Sequence, residues 1–336
     1  MDSLQLPRPF FVLAPMDDVT DTVFRRVVAS CAAPDLYFTE FVNVDGLQSP
    51  GRPKLLKKLR FTADERPLIA QIWGKEPGNF FKTAQQLADG TFARELGLPD
   101  GVNFAGIDLN MGCPDKTVVK NGTCSALMQN PQLAIEMIKA TQDGAAGKLP
   151  VSVKTRLGFS KIDLSWHETL LQQNLAMLTI HCRTRKEMSK VPAHWEYLGQ
   201  IRELRDRLAP QTLIVANGDI MTRQQGLEIA EQYGVDGIMI GRGIFHDPFV
   251  FAAESPWEQQ TPQQRIALFK RHIQLFADTW QHDERPVITL NRFCKIYVNG
   301  FDGAKELREQ FMAARSTDEL LDLIEQTTLV PDRLHA

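Results

Sequence analysis

Eight short apolar segments recur along the first 243 residues, and stretches of helical periodicity separate them. The segments are 11–16, 36–42, 68–74, 106–111, 151–158, 177–184, 212–219 and 237–243. Apolar residues run almost without interruption through each segment, which is typical of parallel strands covered by helices on both faces. The stretches with the clearest helical pattern are 22–30, 77–89, 131–141, 194–208 and 222–233. These strand–helix units predict an α/β fold, a (β/α)8 TIM barrel, with an open doubly wound sheet as the alternative.

Each apolar segment ends in polar or charged residues. Among them are Asp17, Glu40, Gln71, Asn110, Lys154, His181, Asp219 and Arg242. Barrel enzymes carry their chemistry at the carboxyl ends of the strands, and a purely structural protein has no need of polar groups there. The pattern therefore predicts an enzyme with its active site at this end of the barrel.

The chain is longer than a barrel requires, since a TIM barrel takes about 250 residues and the sequence has 336. The strand–helix alternation stops after residue 254, where a polar, proline-containing stretch resembles a linker. Helical patterns follow at 262–282, 286–299, 304–314 and 316–327. The last begins with Ser316 and Glu319, which have the spacing of a capping box. We therefore predict a catalytic TIM-barrel domain over 1–254 and an all-helical domain over 255–336.

The net charge of −3 excludes a strongly cationic nucleic-acid binder. Basic residues are nevertheless clustered at 54–60, 183–190 and 285–308. Such clusters leave open the binding of RNA through a local patch.

Cysteine usage and the ends of the chain indicate the cellular environment. The five cysteines are scattered and form no CxxC pair, which excludes a zinc ribbon and a thioredoxin-like motif. No segment resembles a signal peptide or a membrane-spanning helix. We therefore expect a cytoplasmic protein with reduced thiols, no membrane partner and a monomeric state.

Glycines at the ends of the last two apolar segments predict a phosphate site. These ends read Asn217-Gly218-Asp219 and Gly241-Arg242-Gly243. Glycine lets backbone N–H groups approach an anion, and Arg242 can add a charge-assisted hydrogen bond. In barrels, phosphate groups bind most often at these two loops.

Lys154 lies inside an apolar strand pattern, between Val153 and Thr155. A lysine there needs an anionic partner or a shifted pKa. One interpretation is stabilisation of a reduced flavin, which carries negative charge near N1 and O2. The other is a Schiff-base lysine of an aldolase-type barrel.

Cys113 and His181 are the other candidates for chemistry. Cys113 lies between Gly112 and Pro114, just past the fourth predicted strand, and can act as a thiol acid or as a thiolate nucleophile. His181 can hydrogen-bond a cofactor or exchange a proton. No second histidine or carboxylate stands at metal-ligand spacing around it, so we expect no metal.

Seven short motifs occur in order along the predicted barrel. They are LAPM (13–16), VTD (19–21), LNMGCP (109–114), VKTRLG (153–158), HCRTR (181–185), NGDI (217–220) and IGRG (240–243). This ordered set resembles the tRNA-dihydrouridine synthase family, in which a helical C-terminal module is also found. The resemblance implies an FMN-dependent oxidoreductase acting on a CH–CH bond, with NADPH or NADH as reductant and tRNA as partner. The implied reaction delivers a hydride from flavin N5 to C6 of a uracil, while Cys113 protonates C5.

The resemblance also assigns roles to individual residues. The flavin would contact Pro15, Met16, Asp17, Gln71, Lys154 and His181, and its ribityl and phosphate end would contact Asn217, Gly218, Asp219, Gly241 and Arg242. Cys113 would be the general acid, and Asn110 and Arg156 would orient a flipped uracil. In the basic helical module, we expect Arg292 and Lys295 to bind tRNA.

Two positions depart from the family pattern. Cys182 stands where family members commonly have glycine, and Thr123-Cys124 stand where small residues are usual. One alternative function is an FMN barrel that reduces a free pyrimidine, like a dihydroorotate dehydrogenase, which would need no basic helical module. The other is an RNA-binding factor on an inactive barrel, which would need neither Cys113 nor Lys154.

Overall fold

The computed structural model describes residues 5–281 and 284–328. Its strands are β1 (Phe10–Leu13), β2 (Tyr37–Phe38), β3 (Val42–Asn43), β4 (Leu68–Trp73), β5 (Gly106–Asn110), β6 (Val151–Gly158), β7 (Met177–Thr184), β8 (Leu213–Asn217) and β9 (Gly237–Ile240). Every predicted apolar segment overlaps a strand, and the second overlaps both β2 and β3. Between these two short strands, the Thr39 hydroxyl accepts from the backbone N–H of Gln71 at 3.0 Å.

All strands run parallel, in the order β1, β9, β8, β7, β6, β5, β4, β2, with β3 also paired to β4. The ring closes where Val12 of β1 forms a parallel bridge with Leu36, just before β2. There the backbone N–H of Leu13 donates to the Leu36 carbonyl at 3.2 Å. Neighbours follow sequence order around the ring, as in a TIM barrel. The alternative of an open doubly wound sheet, which needs a reversal of strand order, is wrong.

Helices follow the predicted pattern. They are α1 (Thr22–Ala32), α2 (Val44–Leu47), α3 (Arg52–Leu56), α4 (Pro77–Ala88), α5 (Thr91–Glu95), α6 (Lys116–Lys120), α7 (Pro131–Ala145), α8 (Leu164–Leu171), α9 (Tyr197–Leu208), α10 (Arg223–Tyr233), α11 (Pro262–Thr279), α12 (Asn291–Tyr297), α13 (Ala304–Ala313) and α14 (Thr317–Thr328). Proline begins α4, α7 and α11, where its missing N–H costs no helical hydrogen bond. His282, the predicted end of the first C-terminal helix, lies outside the described residues. No helix in the described part of the chain combines the length and apolar character needed to cross a membrane.

The barrel interior changes from apolar to polar along the strands. A buried cluster contains Phe10, Val12, Leu36, Ile69, Met177 and Val215, together with several neighbours. Side chains two residues apart on a strand share a face. The later inward positions on β4 to β8 are therefore Gln71, Asn110, Lys154, His181 and Asn217. The apolar layers fill the barrel, and the polar layer forms its carboxyl end.

The chain divides into two compact units. The first contains Met1–Thr22 and Pro34–Gly241, and the second contains Val23–Ala33 and Arg242–Ala336. The second segment of this unit starts at Arg242, whereas the sequence predicted a boundary at 254/255, and its first segment includes most of α1.

Aromatic packing and helix caps stabilise the second unit. The rings of Phe269 and Tyr297 stack with centroids 5.0 Å apart, and the buried His272 Nδ1 lies 3.0 Å from the Tyr297 hydroxyl. At the predicted capping box, the Ser316 hydroxyl accepts from the Glu319 N–H at 3.1 Å. The Glu319 carboxylate, however, accepts from the Arg315 N–H. The expected reciprocal bond to Ser316 is therefore replaced by one to the preceding residue.

Candidate active site

Parallel pairing aligns the predicted site residues on adjacent strands. Asn110 of β5 is the register partner of Lys154 on β6. Arg156 pairs with His181 on β7, and His181 pairs with Asn217 on β8. Because each strand is about 4.8 Å from the next, the five residues form one continuous polar arc at the barrel end.

Lys154 is half-buried in this arc. Burial and the neighbouring Arg156 guanidinium lower the pKa of Lys154 to about 8, although the Asp108 carboxylate acts in the opposite direction. Within residues 5–281 and 284–328, no side chain or backbone group forms a hydrogen bond or ion pair with its ammonium group. A cation left in this state is suited to an anionic ligand.

Asp108 is a buried acidic residue that the sequence analysis did not select as a site residue. It is fully buried on β5, and its carboxylate accepts from the Ser152 hydroxyl at 2.6 Å and the Gln71 amide at 2.8 Å. Burial raises the pKa of Asp108 to about 6. A signal was present, since Asp108 and Asn110 lie two residues apart in a strand pattern and therefore share a face.

The loop after β5 places Cys113 next to Asn110. The Asn110 Oδ1 accepts from the backbone N–H groups of Gly112 at 3.1 Å and Cys113 at 3.0 Å. The buried Arg156 Nε donates to the Gly112 carbonyl at 2.8 Å. A Cβ on Gly112 would lie 3.2 Å from the Thr155 carbonyl carbon, so the tight turn favours glycine.

Cys113 is partly exposed, and burial raises the pKa of its thiol above the ordinary value. The protonated thiol therefore predominates at neutral pH. Of the two roles that the sequence left open, this state suits the proton donor rather than the thiolate nucleophile.

Arg183 organises the end of β7. It is buried, with its Nη1 3.2 Å from the His181 Nε2, its Nε donating to the Val191 carbonyl at 2.6 Å, and its Nη2 paired with Asp219. A guanidinium can only donate hydrogen bonds. His181 therefore accepts through Nε2, and its neutral ring carries the proton on Nδ1. Sequence reasoning placed Arg183 in a basic surface cluster because its burial depends on the neighbouring strand.

The loop after β8 approaches His181 closely. Gly218 has a φ of 118°, and a Cβ there would lie 2.9 Å from the His181 Cδ2. The Trp195 indole donates to the Gly218 carbonyl at 2.9 Å. The Asn217 side chain donates to the Met239 carbonyl at 2.8 Å, which connects β8 to β9. The predicted phosphate loop is thus hydrogen-bonded to Trp195 and to β9.

Gly241 is the last residue of the first unit. A Cβ there would make ordinary van der Waals contacts with the Ala14 Cβ, at 3.6 Å, and the Met16 sulfur, at 3.9 Å. Arg242 follows in the chain as an exposed residue that opens the second unit.

The residues after β1 are less buried. Pro15 and Met16 are half-buried, and the Met16 N–H donates to the Thr20 hydroxyl at 2.9 Å. Asp17 is exposed and pairs with Lys58. The carboxylates of Asp17, Asp18 and Glu40 lie within 4.8 Å of one another. Lys58 supplies positive charge to this acidic group.

The two departures from the family pattern are buried. Cys182 is inaccessible, and burial raises its pKa to about 12. It alternates with His181 along β7 and therefore points to the opposite face. Cys124 is also buried and has a φ of 52°.

Arg292 and Lys295 lie in the second unit. Both are on α12, exposed and three residues apart, so that they share one helix face. Phe293, Cys294, Ile296 and Tyr297 are buried between and beyond them.

Comparisons with known proteins identify the family. The family model described as dihydrouridine synthase matches residues 12–331. The probable tRNA-dihydrouridine synthase 2 of Bacillus subtilis is 49% identical over 325 residues, which cover 96% of this chain and 94% of that protein. The probable tRNA-dihydrouridine synthase of Staphylococcus aureus strain COL is 48% identical with the same coverage. Among solved structures, morphinone reductase in complex with tetrahydroNAD aligns with a TM-score of 0.46 and 11% identity, covering 73% of this chain and 88% of that one. From the family model and the close relatives together, the chain belongs to the dihydrouridine synthase family.

Proposed function

We propose that the protein is a tRNA-dihydrouridine synthase, which reduces the C5–C6 double bond of specific uridines in tRNA with FMN as cofactor and NADPH or NADH as reductant. The observation that carries the proposal is that Asn110 lies beside Lys154 in the strand register and holds the Cys113 loop, so that a protonated thiol and an ammonium group occupy the same end of the barrel. Close relatives with the corresponding name support the choice of substrate.

The residues present fit a flavin. Lys154 offers an ammonium with no hydrogen-bond or ion-pair partner among the described residues, and its register partner Thr179 has a buried hydroxyl with no hydrogen-bond partner there. Because Gly218 has no Cβ, the backbone of its loop lies close to His181, and glycine is the residue that allows such a close approach of backbone to a ligand. When bound, a reduced flavin supplies the hydride for this chemistry.

For Lys154, we favour the flavin interpretation over the Schiff-base interpretation because of the residues around it. Lys154 would stabilise negative charge on the flavin ring, and Gln71 would hold the ring by a hydrogen bond. Asn217, Gly218, Asp219, Gly241 and Arg242 would hold the ribityl and phosphate end, and Pro15, Met16 and Asp17 would border the ring.

Cys113 would supply the proton that completes the reduction. Its Sγ–H bond would break as a C–H bond forms at C5 of the uracil, leaving a thiolate on Cys113, and the reduced flavin would supply the hydride for the C–H bond at C6. Asn110 and Arg156 would hold the base, since both lie beside the Cys113 loop. Asn110 accepts from the Cys113 N–H, and Arg156 donates to the Gly112 carbonyl.

A uridine stacked in folded RNA cannot reach a barrel interior, so it must be extruded from the RNA. We propose that the barrel, residues 1–254, carries the chemistry and that residues 255–336 bind tRNA by shape and phosphate contacts. Arg292 and Lys295 support this assignment, because both are exposed on one face of α12. We also propose that the protein acts as a monomer in the cytoplasm.

The proposal is tested by mixing the reduced holoenzyme with unmodified tRNA and measuring dihydrouridine by mass spectrometry. We expect product with tRNA and none with free uridine or orotate. Reduction of orotate without tRNA reduction would support the dehydrogenase alternative. Absence of flavin absorbance at about 450 nm in the purified protein would support the alternative of an RNA-binding factor on an inactive barrel.

Replacement of the acid provides a second test. We expect Cys113→Ala to retain FMN but to reduce tRNA roughly a hundredfold or more slowly, since general acids contribute that much. Cys31→Ala, at a partly exposed cysteine of the second unit, should react normally. Normal single-turnover rates for Cys113→Ala would contradict the assigned role.

A further inference from the structure

A hydrogen-bond series with two fixed ends runs from the barrel core to the Cys113 loop. At its inner end, the Asp108 carboxylate accepts from the Ser152 hydroxyl and from the Gln71 Nε2. An ionised carboxylate has no proton to donate. The amide group of Gln71 must therefore turn its nitrogen towards Asp108, which leaves its Oε1 on the other side.

The outer end imposes the same direction independently. The backbone N–H groups of Gly112 and Cys113 both point at the side-chain oxygen of Asn110. Backbone N–H groups can only donate, so Asn110 must turn its oxygen to the loop and its nitrogen away. That nitrogen donates to the Gln71 Oε1 at 3.2 Å. The two ends thus agree on one orientation for both amides.

We propose that Asp108 is a positioning residue that sets the orientation of the Gln71 and Asn110 amides, and through them both the Cys113 loop and the hydrogen-bonding preference of the site. Each amide nitrogen carries two N–H groups, of which the series uses one. The remaining N–H of each residue is a donor. The site therefore selects ligand atoms that accept hydrogen bonds.

The consequence for the substrate rests on the proposed function. Flavin and uracil both carry ring carbonyl oxygens, which accept hydrogen bonds from such donors. The amino group of a cytosine in the same position would instead face another donor, with no acceptor to pair with. Asp108 would thus contribute to the selection of uracil without touching it.

The orientation can be tested through the alkylation rate of Cys113. Holoenzyme with excess FMN is treated with iodoacetamide, and modification of each cysteine is followed by peptide mass spectrometry. In Asp108→Asn, the introduced amide can present either oxygen or nitrogen to Gln71, so only the Gly112 and Cys113 N–H groups still fix the orientation of the two amides. We expect Cys113 to react about fivefold faster, the change expected when one ordinary hydrogen bond no longer holds the loop.

A second substitution should restore the orientation. In Asp108→Asn combined with Gln71→Glu, the introduced amide donates to the introduced carboxylate, which still accepts from Asn110. We expect alkylation within about twofold of the original rate. Gln71→Glu alone places two carboxylates face to face and should accelerate alkylation, so the comparison holds even if Asp108→Asn alone does not fold.

Two controls accompany these variants. Ser152→Ala leaves the carboxylate as an acceptor for Gln71 and should not change the rate at Cys113. Cys31, in the second unit, should react equally in every variant. An unchanged rate in both single variants, or a double variant as fast as Gln71→Glu, would overturn the proposal. Since no tRNA is present, the result is independent of whether tRNA is the substrate.

Discussion

Burial shifts the proton affinities of Cys113 and Lys154 in opposite senses. It raises the pKa of the thiol and lowers that of the ammonium to about 8. At neutral pH, the site therefore holds a protonated thiol at Cys113, together with a positive charge on Lys154. Both states suit a reaction that adds a hydride and a proton to one double bond.

Removal of the Lys154 charge should lower the midpoint potential of bound flavin. We expect Lys154→Met to lower it by roughly 30 to 60 mV at neutral pH, because the ammonium stabilises the reduced form. The pKa of Lys154 lies below its ordinary value, so the charge is present below about pH 8 and is lost above it. The difference between the two proteins should narrow as the pH rises.

Dye-equilibration titrations across this pH range measure the effect. Lys161→Met, at an exposed lysine of the barrel unit, serves as the matched control and should leave the potential unchanged. Equal potentials for the original protein and Lys154→Met at neutral pH would exclude the charge effect.

At the scale of elements, the apolar segments located every strand because burial on both faces leaves a continuous signal. The hydrogen-bond partners of the polar side chains could not be predicted from the apolar pattern. Asp108 and Arg183 act through residues of neighbouring strands or distant loops, and only strand register brings these together. The resemblance predicted the site residues, while the contacts that hold them came from the structure.

The loop after β8 should be sensitive to a single methyl group. Gly218→Ala would place a Cβ against His181 at an unfavourable positive φ. We expect FMN to bind roughly tenfold more weakly, since strain of this type costs about 1 to 3 kcal/mol. Gly199→Ala, on α9, meets only Tyr233, at 4.0 Å, and should bind FMN normally. Fluorescence titration of FMN distinguishes the two, and equal affinities would show that this close approach is unimportant.

The exposed face of α12 predicts a salt-dependent effect on tRNA affinity. Replacement of Arg292 and Lys295 by glutamate should weaken tRNA binding and reduce the slope of log affinity against log salt by about two. Flavin content should not change, because both residues lie in the second unit. Lys139→Glu, at an exposed position of α7, is the control. Filter binding at several salt concentrations measures this slope. The same slope in the double variant and in the original protein would contradict the assignment.

At the scale of the whole molecule, the buried Asp108 carboxylate links site chemistry to stability. Its pKa in the folded protein is raised from 3.8 to about 6, so the folded state binds this proton more tightly than the unfolded chain. The stabilisation from this group is therefore complete at low pH and is lost as the pH rises through about 6. A functional carboxylate in this position lowers stability at neutral pH.

Asp108→Asn removes this titration and should reveal it. Between about pH 5 and pH 8, the stability of the variant relative to the original protein should increase by roughly 1 kcal/mol. Thermal unfolding at both pH values measures the change. A difference in melting temperature that is the same at both values would show that Asp108 is not a proton acceptor in the folded state.

The sequence by itself determined the barrel, its eight strand segments, the helical region and the family, because these follow from local periodicity and from motifs contiguous in the chain. Only the tertiary structure decided that Val23–Ala33 belongs with the C-terminal helices, that Asp108 orients Gln71, and that Arg183 is buried against His181 and Asp219. The physical reason is the same in each case. Burial and hydrogen-bond partners are properties of residues distant in the chain, and no local pattern contains them.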